Sequence, residues 1–200
     1  AIGVAPRALI RLHQVHGRAV IVAEDGAAPD AALPDADIVL SANPSLAITV
    51  QSADCVPLLI VDPETGIAAA AHMGWRGMVA RVPEATFEAL SRGYRIPPER
   101  LLVAAGPSIG ACCYEVGPDV KLAFEGAGFS PAAIARWFLE VPASLAANPS
   151  MPRAIAPRRD GHWFFDGWAC TRDRLIALGV PAQRVFQAGL CTASHPETLC

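Results

Sequence analysis

The chain has 200 residues, 52% of them hydrophobic and only 18% charged, with a net charge of −3. Such a length supports one domain with a real core, and such an apolar content excludes global disorder. The weak negative charge offers no basic field for duplex nucleic acid or an anionic membrane, no run of about 18 apolar residues marks a membrane span, and the opening residues lack the order of an export signal, so a cytoplasmic protein is expected.

Residues 8–23, ALIRLHQVHGRAVIVA, read as two strands broken at Gly17. The two-residue period puts Ile10, Leu12, Gln14 and His16 on one face and His13 on the other. Residues 24–36 are acidic and rich in Ala and Pro, as in a surface loop. The stretch DIVLSANPSLAITVQSADCVPLLIVD then carries apolar strand-like runs interrupted by a turn at Asn43-Pro44. PETG, at 63–66, is a turn between apolar runs, which makes 55–74 a hairpin. A helix is expected after Pro83, with Phe87 and Leu90 on one face and Gly93 as its stop. LLVAAGPSIGACCYEVG reads as a buried strand entering a Gly/Pro loop, GPDVKLAFEGAG as a short helix starting after Pro118, and 131–139 as another. WFFDGWACTRDRLIALGV is the strongest helix, ending at Gly179, with Asp160, Asp166 and Asp173 capping or flanking it; RVFQAGLCT is a last strand. This mixture, without strict strand–helix alternation or a phosphate-binding glycine motif, predicts an α/β or α+β fold with a mixed sheet.

Closure of the hairpin through the four residues of PETG would pair Asp62 with Ile67. Position 74 then lies opposite Cys55, and His72 becomes its diagonal neighbour on the same face. Such neighbours are roughly 7–8 Å apart at Cα, close enough for a thiolate and an imidazole to share a metal. Sulfur with imidazole favours zinc or copper over magnesium. The residues alone leave two readings open, a metal pair or a buried small hydrophobe beside a core histidine. Asp54 next to Cys55, and Gly74-Trp75-Arg76-Gly77 after His72, favour a site: the glycines allow close backbone approach and arginine suits an oxyanion. In HQVHG at most one histidine can join a given site. GPSIGACCYEVG, with Ser108 and two adjacent cysteines, is either an anion-holding loop or a tight turn with buried thiols. His162 and His195 sit in surface-like settings. Six cysteines (55, 112, 113, 170, 191 and 200) in a chain of this kind read as reduced thiols or metal ligands.

HQVHG, SADCVPLLI, AAAHMGWRG and GPSIGACCYEVG, in this order, resemble the four signature blocks of the laccase-domain or polyphenol-oxidase-like family, whose members are regarded as zinc-dependent purine nucleoside phosphorylases with adenosine deaminase and methylthioadenosine phosphorylase activity. The likeness covers residues 12–117 and continues to about residue 180. It implies that His16, Cys55 and His72 are metal ligands. It also implies a single α/β domain over residues 1–200, with a central mixed β-sandwich flanked by helices, similar to a bacterial toxin-like cysteine hydrolase fold. Met73 stands where the family usually has Ala. The family pattern further leads one to expect segments before RLHQVHG and after CTASHPE that this chain lacks.

The resemblance makes the expected protein a zinc enzyme that phosphorolyses adenosine, inosine and methylthioadenosine and deaminates adenosine with metal-activated water, working as a monomer or homodimer on purine nucleosides and phosphate. Proximity to the blocks nominates Arg76 for phosphate, Asp54 and Glu115 as acid/base carboxylates, and Gln14, Ser52 and Ser108 for substrate contact. Three other readings share these residues. A copper (Cu2+) site oxidising phenols needs more imidazoles than five histidines provide. A cysteine hydrolase acting on peptidoglycan precursors would use Cys55 as nucleophile and His72 as base. A structural zinc would be closed by Cys112 or Cys113.

Overall fold

The computed structural model describes residues 5–26, 32–143, 158–195 and 199. The expected hairpin forms in the expected register. Strands β5 (Val56–Val61) and β6 (Ala68–Met73) pair from Val61 with Ala68 out to Val56 with Met73, and the Asp62 amide donates to the Ile67 carbonyl at 2.9 Å. The alternation of β5 turns Val56, Leu58 and Ile60 into the core, whereas Leu59 is 58% exposed. In β6 the alanines fill both faces: Ala69 and Ala71 join the main core and Ala70 a second cluster on the opposite side. An unbroken run of small apolar residues is what a strand covered on both faces requires. Pro57 fits this ladder because its partner is His72, whose N–H donates away from it, to the Asp37 carbonyl at 2.8 Å; the missing proline donor leaves no acceptor of His72's making unserved.

Around the hairpin a six-stranded mixed sheet is completed by two flanking pairs. Strand β3 (Ile38–Ser41) lies antiparallel to β6, and β2 (Val20–Val22) parallel to β3. On the other side β7 (Leu102–Ala105) lies antiparallel to β5, and β11 (Val185–Gln187) parallel to β7. A parallel pair, β1 (Leu9–Ile10) with β4 (Ala47–Ile48), and an antiparallel trio, β8 (Glu115–Val116), β10 (Trp163–Phe165) and β9 (Phe138–Leu139), are separate small sheets. Val116, Phe138 and Phe165 of the trio share one core with Leu58 and Ile60 of the large sheet. The expected mixed α/β class therefore holds. No helix among the described residues is long and apolar enough to cross a membrane.

The helices are α1 (Trp75–Val79), α2 (Val82–Tyr94), α3 (Pro118–Gly126), α4 (Pro131–Trp137) and α5 (Gly167–Ala177). Phe87 and Leu90 are buried as the spacing of α2 demands, but Gly93 lies within the helix, whose stop is Arg95 in the left-handed region at φ 56°. Trp163–Phe165, expected as helix, is strand β10; α5 begins only where the Asp166 carboxylate caps the Ala169 amide at 2.9 Å. The break is legible afterwards as Asp-Gly, a cap followed by a weak helix former. Asp173 instead receives hydrogen bonds from Arg136 and Trp137 of α4. Asp160 lies in the turn before β10. The expected strands at 8–23 shrink to β1 and β2, for a reason that belongs to the site. The expected loop at 24–36 is irregular over its described part, and residues 27–31 lie outside the described residues.

At the tip of the hairpin Asp62 has no exposed surface, and it is held by Arg100 and by the Thr65 hydroxyl. The hydrogen bond from Arg100 is the main reason its carboxyl is lowered to about 2, against the opposing pull of burial. A depressed carboxyl stabilises the fold fully above its ordinary value of 3.8 and loses that contribution as pH falls toward about 2. Arg100→Ala is accordingly expected to lower the melting temperature clearly at pH 7 and only slightly near pH 2. An equal drop at both pH values would show that the ion pair is not the source.

Candidate metal centre

Nδ1 or Nε2 of His16 and His72 and Sγ of Cys55 lie within 4.8 Å of one another. Three elements deliver them: His72 from the end of β6, Cys55 from the residue before β5, and His16 from the irregular segment between β1 and β2. The two imidazoles meet edge to face, with ring centroids 4.9 Å apart. His72 is buried, Cys55 half-buried and His16 exposed, so the group opens on one side to solvent.

Asp37, which was not singled out from the sequence, organises this group. It has no exposed surface, and its carboxylate accepts from the amides of Val15 (3.2 Å), His16 (3.0 Å) and Gly17 (2.7 Å). Successive amides converging on one anion cannot also serve a ladder, which is why the predicted strand around His16 does not form. His16 itself sits in the left-handed region at φ 59°, a conformation histidine tolerates better than most residues. Asp37 also accepts from His72 Nδ1 at 2.8 Å. That bond fixes the tautomer with the proton on Nδ1 and leaves the Nε2 lone pair free to ligate.

Asp54, at φ 76°, makes the other left-handed kink and turns the chain so that Cys55 faces the histidines. Its carboxylate accepts from the Thr192 hydroxyl, and its carbonyl from the Ile109 amide at 2.9 Å. Burial is the main influence pushing the Cys55 thiol above its ordinary value; Asp54 and Asp37 add to it and Arg76 opposes it. A cation beside the sulfur would reverse that balance.

Gly74 keeps the space open. A Cβ built there would stand 2.7 Å from Cys55 Sγ and 3.5 Å from the His16 ring. The donor set, the unencumbered Nε2 of His72 and this glycine-lined gap together fit a zinc or copper ion. Gly74→Ala is expected to lower bound metal by at least about tenfold while leaving the fold cooperative, a magnitude typical of disturbing a ligand's surroundings. Metal content after dialysis against a fixed free-metal buffer checks it; unchanged content would mean the gap is not used.

Beside Cys55 a cavity of about 190 Å³ is lined among others by Asp54, Met73, Trp75, Ile109 and Tyr114. Burial, the largest influence, raises the Tyr114 hydroxyl to about 12, so at neutral pH it is a hydrogen-bond donor. Arg76 stacks its guanidinium 4.4 Å from the centroid of the Trp75 ring. A much larger groove of about 930 Å³, bounded by residues such as Phe129, Trp137 and Asp173, contains none of the sequence-predicted site residues.

The remaining candidates fall in different places. Gln14 closes a reciprocal pair with the backbone of Gln51, both bonds 2.7 Å, and the Ser52 hydroxyl donates to the Cys55 carbonyl; both shape the approach to the thiol. Ser108 has no exposed surface, and its hydroxyl accepts from Trp168 Nε1 at 2.6 Å, so its place is inside the loop packing. Glu115 lies on β8, one residue from the cavity-lining Tyr114, and its carboxylate accepts from Arg159 through the backbone amide (2.6 Å) and Nε (3.1 Å). That backbone bond is the main cause of its lowered carboxyl value. His13 pairs with Asp35 at 2.6 Å on the surface, so only one histidine of HQVHG joins the group, as expected. Cys112 and Cys113 do not close it; they gather with Cys191. Asp37, Tyr114 and Thr192 are the additions made by the structure, and only Asp37, an acid heading the apolar run DIVL, carried a local signal.

Known proteins similar to this chain fall in one family. The chain is 40% identical over 141 residues to a purine nucleoside phosphorylase of Deinococcus radiodurans, covering 70% of this chain and 51% of that protein. It is 37% identical over 184 residues to one of Pseudomonas aeruginosa, covering 92% and 63%, and 34% identical over 164 residues to the adenosine deaminase RL5 of an unknown prokaryotic organism, covering 82% and 55%. The chain thus spans between about half and two-thirds of the length of these curated relatives. Among solved structures it shares its fold with the hypothetical protein YfiH of Bacillus licheniformis (TM-score 0.81, 22% identity, 96% of this chain and 67% of that one). It is also similar to YlmD of Geobacillus stearothermophilus (TM-score 0.76, 26% identity, 96% and 66%). With residues 1–199 matched by the model of the family described as multi-copper polyphenol oxidoreductase laccase, the chain belongs to that family.

Proposed function

We propose that the chain carries the metal-dependent site of a purine nucleoside phosphorylase that acts on adenosine, inosine and methylthioadenosine and also deaminates adenosine. The observation that carries this reading is the His16–Cys55–His72 group, whose Cys55 lines a cavity together with Asp54 and with Trp75, the ring on which Arg76 stacks; the relatives' names support it. His16, Cys55 and His72 would hold a zinc ion, which would supply Lewis acidity and a lowered pKa for water.

The chain's own groups do the rest. Arg76, its plane set by Trp75, offers a bidentate fork to phosphate oxygens. Phosphate attacks ribose C1′ while the bond to the purine nitrogen breaks, and the departing base takes up a proton. Asp54, oriented by Thr192, is the carboxylate that moves protons at the reacting end, both in that step and when water replaces the adenine amino group. Tyr114 donates a hydrogen bond from the cavity wall. The cavity is smaller than the roughly 300–1,000 Å³ of most ligand sites, so a nucleoside would extend past it toward the open side at His16. Gln14 and Ser52 border that approach. Glu115, tied to Arg159, acts on the substrate only if that pair opens.

Incubating the purified protein with adenosine, with and without phosphate, and identifying the products tests the reading. Adenine appearing only with phosphate supports phosphorolysis and inosine without phosphate supports deamination; neither product would end the proposal. A second reading, copper-dependent phenol oxidation, is favoured by the family's description and by the copper affinity of such a donor set. Metal analysis of protein prepared without added copper separates the two.

A further inference from the structure

We propose that Cys112, Cys113 and Cys191 form a second cation site, a thiolate trio for a soft metal ion that is independent of the His16–Cys55–His72 group. The three Sγ atoms lie within 4.8 Å of one another, and all three thiols are free. Cys112 and Cys191 are 3% and 0% exposed, and Cys113 is half-buried.

Two loops distant in sequence are joined to bring the sulfurs together. The Ser108 amide donates to the Leu190 carbonyl and the Thr192 amide to the Ser108 carbonyl, both at 3.1 Å. The Gly110 amide points at Cys191 Sγ from 3.3 Å. Ser194 Oγ completes the cluster, 3.3 Å from Cys113 Sγ and 3.7 Å from Cys112 Sγ. Three sulfurs thus lie close together with one hydroxyl beside them, leaving water as the candidate for a fourth, open position.

The donor chemistry selects the occupant. Thiolates without a carboxylate or imidazole favour zinc, cadmium or cuprous copper and disfavour magnesium and calcium. Around a zinc ion, bonds of about 2.3 Å place tetrahedral sulfurs about 3.8 Å apart, so the widest pair need close by only about 1 Å. A disulfide would use only two of the three thiols, whereas one cation uses them all.

The cluster is also electrostatically uneven. Burial pushes the Cys112 thiol up to about 12. Cys191 sits below its ordinary value, because hydrogen bonds from Ser194, the Gly110 amide and Cys112 outweigh its burial.

The trio does not take part in the proposed nucleoside chemistry, but it adjoins it. Thr192, next to Cys191, holds the Asp54 carboxylate, and Ile109, next to Gly110, holds the Asp54 carbonyl at 2.9 Å. A cation binding both loops would stiffen the support of Asp54.

Cadmium titration of the metal-stripped chain tests the proposal, read by bound cadmium after dialysis and by the ultraviolet charge-transfer absorbance of cadmium thiolates. The wild type should bind two ions per chain. His72→Ala should keep one ion, with absorbance typical of three thiolates. Cys191→Ser and the half-buried, structurally milder Cys113→Ser should keep only the other ion, with absorbance of a single thiolate and the trio's affinity down by at least about 100-fold, since direct ligands matter more than the outer groups that already account for 10–100-fold. Circular dichroism confirms that each variant folds. A single ion with single-thiolate absorbance in the wild type, two ions retained in both cysteine variants, or a Cys112–Cys191 disulfide persisting in metal-loaded protein would each overturn it, whereas a single three-thiolate ion would uphold the trio and count against the His16–Cys55–His72 group.

Discussion

Cys55→Ala and His72→Ala are each expected to empty the His16–Cys55–His72 site of metal and to reduce nucleoside turnover by about 10³-fold or more. A metal's polarising contribution is worth several kcal/mol, and each ~1.4 kcal/mol of barrier is a factor of ten. Neither residue has a neighbour ready to replace it, because the other nearby acid, Asp37, is already engaged by three amides and an imidazole. Cys55→Ala removes a half-buried side chain and should leave the fold intact, which separates chemistry from stability. His16→Ala should have the mildest effect of the three, because His16 is exposed and water can take its place. Full metal content and turnover in both Cys55→Ala and His72→Ala would refute the site outright. Protection of Cys55 from iodoacetamide by bound zinc would in turn separate a ligand from a hydrolytic nucleophile.

Asp37→Ala should be the most destabilising single change in this region. It strands three amides and releases the Nδ1 proton of buried His72, and a lost acceptor of this kind costs about 3–5 kcal/mol. Asp37→Asn is the sharper probe. It keeps the volume but places an NH2 group among donors, so stability should fall less, while metal affinity drops about 10–100-fold as the histidine loses its orienting partner. Urea unfolding with and without metal distinguishes the two effects. If Asp37→Asn bound metal like the wild type, the carboxylate would be structural only.

Local pattern was sufficient wherever one element carried the information. PETG between two apolar runs set the hairpin and its register, and that register put Cys55 and His72 at one end. Phe87 and Leu90 marked the buried face of α2, and the resemblance carried by the HQVHG, ADC and GWRG blocks pointed to His16, Cys55 and His72, which the fold brings together. Local pattern misled where one side chain overrode backbone preference. The alternating run around His16 reads as a strand, yet Asp37 draws three successive amides out of any ladder. Gly93 reads as a helix stop, yet Arg95 takes the left-handed position.

What the amino-acid order determined by itself is the mixed α/β class and the central hairpin with Cys55 and His72 at one end, because these depend on periodicity and on residues close in sequence; His16 joined them only through the family resemblance. Only the tertiary structure decided that Asp37 sets the tautomer of His72 from 35 residues away, that Thr192 orients Asp54 across 138 residues, and that Cys191 joins Cys112 and Cys113. Hydrogen bonds and shared cations act over about 3–5 Å in space with no reference to chain separation, so no periodicity records them until the sheet brings their bearers together.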